Sequence, residues 1–249
     1  MKRFVSIAVL FGMAMPAFAQ EAPASEPSVA PEKVQVSSVK DPALRPYRSM
    51  LRGLDAFEQK RALAPQASLR FELLTQDGKY AMPDGLQLRI AGDQVDIALP
   101  IDADATFVLP RSQAAFDDEA DLLLNRKKDQ FRWRPRVRTP GVPEQARRLG
   151  DVRMECEVMQ AVRKEEIPLL YRAAAVAAGG ICNMPMVGYV FRMPQRLLSA
   201  TVVSGERRAA LALHEGGIGY LAPLRDKRWD DDALIVFEFK QETAPGTAQ

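Results

Sequence analysis

Histidine and cysteine, which supply most metal ligands and many catalytic groups in proteins, are scarce in this chain. Its 249 residues include one histidine and two cysteines. A single histidine cannot provide the paired imidazoles of an H-E-x-x-H zinc site. No G-x-S-x-G segment marks a serine nucleophile that His214 could activate. The sequence therefore predicts no catalytic residue, no metal site and no cofactor, and we interpret His214 as a loop or core residue.

Other ligand-binding motifs are absent in their full form. Residues 216–219 (GGIG) lack the G-x-G-x-x-G spacing and the following helix of a phosphate loop, so we interpret them as a turn. Residues 230–232 (DDD) lack the spaced acidic pattern of a calcium loop and are interpreted as a solvated turn. After residue 19, no apolar run approaches the roughly 20 residues that a membrane-spanning helix needs.

The first nineteen residues have the three parts of a secretory signal peptide. Lys2 and Arg3 form a basic start, residues 4–15 are apolar, and residues 17–19 (AFA) match an A-x-A cleavage site. We therefore predict a signal peptide over residues 1–19, cleavage before Gln20, and a periplasmic or secreted location for the product.

The charge balance gives no indication of a nucleic-acid partner. The whole chain has a formal net charge of +2, from 34 basic and 32 acidic residues. Loss of Lys2 and Arg3 with the leader leaves equal numbers of the two signs. A neutral chain has no overall attraction to a polyanion such as DNA or RNA. We predict no nucleic-acid partner, and no transmembrane segment after processing.

The two cysteines, Cys156 and Cys182, predict a disulfide in an exported protein. Oxidising compartments favour the pairing of an even number of cysteines. Two buried free thiols remain one alternative, and a redox pair remains another. Redox pairs usually have C-x-x-C spacing, which is absent here.

Residues 20–46 and 47–140 differ in composition. The first segment is rich in Ala, Pro, Glu and Ser and predicts a disordered or extended linker. From residue 47 apolar residues recur at helical spacing as far as Phe57, and from Ala67 the period changes to two. Short strand patterns separated by turn signals indicate an antiparallel sandwich. We predict a short N-terminal helix and a β-sandwich-like module, with strands at 69–73, 86–90, 95–99 and 106–109.

Residues 66–112 of this module carry a further pattern. Asp77-Gly78 follows the first strand, residues 86–90 (LQLRI) form a second, and residues 106–110 (TFVLP) end the pattern. This order resembles the transthyretin-like and carboxypeptidase-regulatory-like β-sandwich modules. The resemblance implies a non-catalytic accessory module. The chain as a whole also resembles exported bacterial proteins with no assigned activity.

The second half, residues 150–242, predicts an α+β or β-rich module. Alternating residues at 151–162 predict a strand, and the Ala- and Leu-rich stretch 164–178 predicts a helix that two glycines end. The predicted fold class is β-rich, with a sandwich-like first module and an α+β second half. Further strands are predicted at 187–191, 197–203, 209–213 and 233–239, and a flexible tail at 243–249.

The most distinctive polar pattern is a run of arginines at alternate positions in residues 131–138 (FRWRPRVR). On a strand the four arginines project from one face, and the residues between them lie on the other. The planar guanidinium suits phosphate, sulfate or carboxylate groups. We therefore predict an anion- or partner-binding site formed by Arg132, Arg134, Arg136, Arg138 and Trp133.

An ordinary solvent-exposed strand face is the alternative interpretation of the same pattern. The acidic cluster at residues 117–121 would then neutralise the arginines. Pro135 would mark an edge strand, on which charged residues discourage aggregation. The pattern alone does not separate these two interpretations.

Three function classes fit these features. We expect a non-catalytic envelope protein that binds or supports a macromolecular partner, either an envelope protein or an anionic glycan or lipid. The alternative is a carboxylate-dependent hydrolase of a cell-wall or surface polymer, which needs two carboxylates about 5–10 Å apart in one cleft. A third class is a module that offers a strand edge to its partner, for which an uncovered edge on the arginine strand would be the sign.

Overall fold

The computed structural model describes residues 40–76, 83–184 and 189–240. These ranges contain fourteen β-strands in four sheets, four α-helices and three 3-10 turns, so the predicted β-rich fold class is confirmed. The helices are α1 (Tyr47–Gln59), α2 (Gln113–Asp117), α3 (Leu149–Val162) and α4 (Leu169–Ala177). The strands are β1 (Pro42–Pro46), β2 (Ser68–Thr75), β3 (Leu88–Ala91), β4 (Asp96–Leu99), β5 (Thr106–Phe107), β6 (Asp121–Lys127), β7 (Phe131–Arg138), β8 (Ala146–Arg148), β9 (Val190–Arg192), β10 (Leu197–Ser204), β11 (Arg207–Ala210), β12 (Leu213–His214), β13 (Gly219–Leu221) and β14 (Leu234–Phe239).

Two sheets and three helices, α1, α2 and α3, surround the first hydrophobic core. One sheet has the strand order β1-β6-β3-β4 and the other the order β5-β2-β7. Phe71 and Leu73 of β2 belong to the same core as Ile90 of β3 and Leu122 of β6. Each of these four side chains is at most 1% exposed. Burial of a side chain of this size contributes about 1.5–3 kcal/mol, so this cluster is a main source of stability.

Helix α1 forms where the apolar stripe predicts it and packs directly against α3. Tyr47, Met50 and Phe57 are buried along its inner side. The two helices approach closely at Gly53, where an added Cβ atom would lie 2.7 Å from Cγ2 of Val162. Any larger residue at position 53 would therefore force the helices apart.

The second core lies between the remaining strands and the opposite side of α3. The sheets involved have the orders β11-β10-β14-β8 and β12-β13-β9. Aromatic rings connect them, with centroid distances of 5.7 Å between Phe191 and Tyr220 and 5.0 Å between Tyr220 and Phe237. Aromatic pairs at such distances stabilise a fold beyond their buried area alone.

The strand predicted over residues 151–162 is wrong, because this segment forms the helix α3. The helix is buried on two sides. Its residues 154, 158 and 162 join the first core, while residues 149, 152 and 156 join the second. Each set has the spacing of three or four residues that is typical of one helix face. Together the two sets produce an apparent alternation that imitates a strand.

Most other predicted elements are present with shifted ends. The helix predicted over 164–178 consists of a 3-10 turn at Lys164–Glu166 followed by α4. The predicted linker 20–46 ends in a strand, because β1 is paired with β6. Strands β6 and β8 were not predicted. The leader 1–19, the turn at 77–78 and the tail 243–249 lie outside the described residues.

The predicted disulfide between Cys156 and Cys182 is confirmed, and their Cα atoms are 6.0 Å apart. It links α3, the segment that was predicted as a strand, to the 3-10 turn at Ile181–Asn183 that follows the two glycines. A disulfide is compatible with a compartment outside the cytoplasm. In the described ranges, no helix combines the length and the apolar character needed to cross a bilayer.

Replacing both cysteines with serine is expected to lower the free energy of unfolding by about 3 kcal/mol, because the unfolded chain regains the freedom that the closed loop removes. Helix α4, which lies inside that loop, buries only Ala175 and depends on this link. Urea denaturation followed by circular dichroism measures the change. Limited proteolysis should also become faster between residues 163 and 184. An unchanged denaturation midpoint together with unchanged cleavage would contradict this account.

Candidate functional site

Strand β7 carries the four predicted arginines at the edge of its sheet. Within the described residues it pairs with β2 alone, in a register that sets Pro135 opposite Phe71. Phe131, Pro135 and Val137 are buried, and the arginines lie at the positions between them. The interpretation of Pro135 as an edge-strand residue is therefore confirmed. An N–H at this position would point away from β2, so a proline here removes no hydrogen bond from the sheet.

Three of the four arginines are held by neighbours within the fold. The pairs are Arg134 with Glu72, Arg136 with Asp104, and Arg138 with the carbonyl oxygen of Ala146. Arg132 differs, because its Nε donates at 2.8 Å to the neutral side chain of Gln76. No carboxylate in the described ranges pairs with Arg132. Among the four, Arg132 and Arg138 are the two that have no carboxylate partner in the described ranges, and only Arg132 of these two lines the larger cavity at the edge of β7.

The acidic cluster at residues 117–121 does not neutralise these arginines. Asp118 accepts hydrogen bonds from the backbone N–H groups of residues 94 and 95 instead, and Glu119 pairs with Arg48. Asp104 takes that role for Arg136. Although burial raises the pKa of Asp104, hydrogen bonds from Thr106 and Arg136 lower it below its usual value.

Two of the arginines, Arg132 and Arg134, line a cavity of about 560 Å³ at the open edge of β7. Residues 131–135 form one wall, and Tyr189 with β9 forms another. Residues 43–45 of β1 complete the rim. We call this space the edge cavity. Its third wall is one face of α3, formed by Glu155 and Met159 and continued by Arg163 just after the helix.

The edge cavity is strongly basic. Six of its lining side chains are positively charged and two are negatively charged. This is an excess of positive charge in the lining itself. Carboxylates outside the lining offset part of it, because Asp41 pairs with Lys128, Glu72 with Arg134, and Glu166 with Arg45 and Arg163. The basic residues are Arg45, Lys128, Arg132, Arg134, Arg163 and Arg192, and the acidic residues are Asp129 and Glu155.

The bonding of these basic residues leaves much of their donor capacity unused. Arg45 and Arg163 share one carboxylate, that of Glu166. Burial alone would raise the pKa of Glu166, but the hydrogen bond from Arg163 and the charge of Arg45 lower it. Arg192 lies 3.8 Å from Glu215, and its side chain donates no hydrogen bond to another described residue. Arg132 and Arg192 therefore have the most donors left for a ligand.

Aromatic rings line the cavity beside these charges. Trp133 makes an edge-to-face contact with Phe107, with ring centroids 6.0 Å apart. Tyr189 packs on Phe191 at 4.7 Å. Burial raises the pKa of Tyr189 to about 12, so its hydroxyl keeps its proton at neutral pH and can donate a hydrogen bond. The cavity can thus contact both charged and apolar parts of a ligand.

The outer edge of β7 is closed along its second half. The N–H of Val137 donates to Oε1 of Glu155 at 2.7 Å, and its carbonyl oxygen accepts from Arg147 at 3.1 Å. The N–H of Thr139 donates to Asp151 at 2.8 Å. Pro135 precedes Val137 and Thr139 along the chain, on the side of the cavity, and has no N–H group. Helix α3 therefore closes this part of the edge with two carboxylates one turn apart.

The first half of the same edge is open. Backbone groups of an antiparallel strand point alternately toward and away from its partner. Since those of Val137 point away from β2, those of Phe131 and Trp133 point away from it as well. They have no backbone partner among the described residues. Both residues line the edge cavity, so the open edge faces it.

The rest of the arginine ladder lines a second, smaller cavity of about 240 Å³. Burial and the neighbouring charge of Arg147 lower the pKa of Arg138 there. Glu72 and Glu144 also line this space and offset part of its charge. The predicted site is therefore divided, with Trp133 and Arg132 in one cavity, Arg136 and Arg138 in the other, and Arg134 between them.

The remaining polar motifs have structural roles. Residues 230–232 lie in the predicted exposed turn before β14, and Asp231 and Asp232 also pair with Arg153 and Arg148 and so hold α3. Nε2 of His214 lies 3.0 Å from Glu215. Residues 216 and 217 form a turn with positive φ, as predicted. In the part of the chain that the structure describes, no group of three or more His, Cys, Asp or Glu side chains is arranged so that it could hold a metal ion.

Of the six basic residues around the edge cavity, sequence reasoning assigned only Arg132 and Arg134 to a site. Arg45, Arg163 and Arg192 come from β1, the region after α3, and β9. Arg45 lies more than a hundred residues before the other two in the chain, and no local spacing connects the three. Burial of Glu155 on α3 was also missed, because the segment was interpreted as a strand.

Comparisons with known proteins give no relative for this chain. No protein-family model, curated protein or solved structure is significantly similar to it. The transthyretin-like resemblance of residues 66–112 therefore stays a prediction. Any functional conclusion rests on the geometry of the site itself.

Proposed function

We propose that this protein is an exported, non-catalytic binding module that holds an anionic partner in the edge cavity. The observation that carries the proposal is the convergence of six basic side chains and several aromatic rings from separate elements on one open cavity. Charge of one sign around a concave surface attracts and orients a ligand of the opposite sign. Export rests on the leader over residues 1–19 and is compatible with the disulfide.

The donor inventory supports an anion more strongly than a neutral ligand. A guanidinium has five N–H donors in a planar fork that matches carboxylate, phosphate and sulfate groups. Arg132 uses one donor on Gln76, and Arg192 uses none on other described side chains. An anion entering the cavity would therefore satisfy donors that the fold leaves open, and would not have to break existing ion pairs.

A carboxylate-dependent hydrolase remains the alternative function. Its location would be the open acidic cleft beside Gly92, where burial raises the pKa of Asp121 as a general acid requires. Two other carboxylates of that cleft, on Asp118 and Glu119, are already bonded to backbone N–H groups and to Arg48. We therefore prefer the binding function at the edge cavity.

The Arg132→Gln/Arg192→Gln double variant tests the proposal. It should bind an anionic probe at least tenfold more weakly than the parent protein, because two charge-assisted hydrogen bonds are lost. The probes are a capped decaglutamate peptide, a heparin hexasaccharide, and vesicles containing phosphatidylglycerol. Calorimetric titration in 50 mM and 500 mM salt measures the affinity, and we expect weaker binding at the higher salt concentration.

The matched control is Arg208→Gln/Arg225→Gln, which removes the same charge from exposed positions outside the cavity. It should leave the affinity within twofold of the parent value. Equal losses in the two double variants would mean that net charge alone attracts the probe. That result, or failure of all three probes to bind the parent protein, would overturn the proposed function.

A further inference from the structure

We infer that the anionic partner is an extended acidic peptide that adds as a strand to the open edge of β7. The inference rests on the proposed function and names the partner class for the same cavity. It adds one element that charge alone does not supply, which is backbone pairing at Phe131 and Trp133. Addition of a strand to a free sheet edge is a general way in which proteins bind peptides.

The open part of the edge has defined limits. The outward N–H and C=O groups of Phe131 and Trp133 face the edge cavity, whereas Val137 is closed by Glu155 and Arg147. Pro135 offers no donor at the junction. Pairing can therefore extend over the first half of β7 only. Four backbone groups are enough to fix the direction and register of a short segment, but not to recruit a whole sheet.

Two other edge strands border the same cavity. Strand β9 is the last strand of its sheet, and β1 is the first strand of another. The carbonyl oxygen of Arg192 on β9 is directed toward β7, because it accepts a hydrogen bond from Nη1 of Arg134 at 3.0 Å. A bound peptide would thus be flanked by backbone acceptors and basic side chains. A lipid headgroup or a sulfated glycan would use only the side chains.

The alternation on β7 predicts the sequence pattern of the peptide. Side chains directly opposite each other on neighbouring strands lie on the same face of a sheet. The peptide residue opposite Arg132 should therefore be acidic, and an acidic residue opposite Arg134 would share that guanidinium with Glu72. The residue between them lies opposite Trp133, near Met159, and should be apolar or aromatic. The expected pattern is acidic, apolar, acidic.

The first test compares two peptides of identical composition. In one capped heptapeptide Asp and Phe alternate, and in the other the Asp residues are grouped at one end. The alternating peptide should bind the full-length protein at least tenfold more tightly, because only its acids can all lie on the arginine face. Equal affinities would show that charge and not strand pairing decides binding, and would overturn the inference.

The second test separates the backbone of residue 133 from its side chain. Trp133→Ala removes the ring and keeps the N–H, whereas Trp133→Pro removes both. Proline is compatible with this position, because the N–H of Trp133 points away from β2 and makes no hydrogen bond within the described sheet. The same holds for position 135, where a proline already stands. We expect Trp133→Pro to bind the alternating peptide about five- to tenfold more weakly than Trp133→Ala, for the loss of one hydrogen bond. Equal affinities of the two variants would contradict strand addition.

A third test keeps the protein unchanged, in case the proline variant does not fold. The alternating peptide is N-methylated at one backbone amide at a time. Methylation at amides that face β7 should abolish binding, and methylation at the amides between them should have little effect. A uniform response along the peptide would overturn the inference.

The heparin hexasaccharide distinguishes failure of this inference from failure of the proposed function. If it binds, and if Arg132→Gln/Arg192→Gln weakens that binding while the peptide does not bind, the cavity takes anions but not strands. The inference is then wrong and the proposed function stands. If the alternating peptide, the heparin hexasaccharide, the decaglutamate peptide and the vesicles all fail to bind, both are wrong.

Discussion

Replacing Arg153 with methionine is expected to lower the free energy of unfolding by about 3–5 kcal/mol. The side chain of Arg153 is only 11% exposed and ties α3 to the loop that precedes β14. It pairs with Asp231 at 2.6 Å. It also donates to three backbone carbonyl oxygens, those of Leu224, Asp226 and Trp229. Methionine fills a similar volume but leaves these acceptors without a donor.

Chemical denaturation of the purified full-length protein measures this loss. Arg228→Met is the matched control, because the Arg228 side chain is 83% exposed and pairs with Asp226 at the surface. Surface pairs of this kind contribute little, so the control should change the free energy of unfolding by less than about 0.5 kcal/mol. Similar values for the two variants would contradict the role of Arg153 as an anchor of α3.

The arginine strand could be predicted from sequence because its determinants are local. Alternation over residues 131–138, with a proline among them, is enough to indicate an edge strand with two unlike faces. The structure adds partners that lie far away in the chain, such as Glu72 and Asp104. These partners decide which arginines keep unused donors. For that reason the ladder as a whole could be predicted, but its division into two cavities could not.

Helix α3 could not be predicted correctly, because its burial comes from two sides at once. Met154 and Val158 join one core, while Val152 and Cys156 join the other. A single-sided helix would have shown one apolar stripe, which periodicity analysis detects. Strand β6 was missed for a different reason. Its three consecutive leucines at 122–124 show no alternation in the sequence. In the structure the first and the third are buried, and the second is only partly buried.

Misassignment of α3 also hid the most important link between fold and site. Glu155 appeared as an outward residue of a strand, whereas its side chain is 6% exposed in the structure. Burial raises its pKa, and the charge of Arg147 acts in the opposite direction. From one position Glu155 closes the second half of the β7 edge and also lines the edge cavity. The same helix thus sets both the limit of the open edge and one wall of the cavity.

Replacing Glu155 with leucine is therefore expected to lower the free energy of unfolding by about 3–5 kcal/mol. The change leaves Arg147, whose side chain is 12% exposed, as a buried charge without its carboxylate partner at 2.6 Å. It also removes the acceptor of the Val137 N–H. Urea denaturation measures the loss, with circular dichroism as the signal.

The double variant Glu155→Leu/Arg147→Met separates the two contributions. Replacing both members of a buried ion pair by apolar residues of similar size is often nearly neutral, so most of the lost stability should return. The part that does not return, about 1–3 kcal/mol, is the cost of the unsatisfied Val137 N–H. Because the double variant removes the carboxylate of Glu155 from the edge cavity and leaves Phe131 and Trp133 unchanged, it should bind the alternating peptide at least as tightly as the parent protein. If the double variant is no more stable than Glu155→Leu, then Glu155 stabilises the fold through its bond to the N–H of Val137 and not through its ion pair with Arg147.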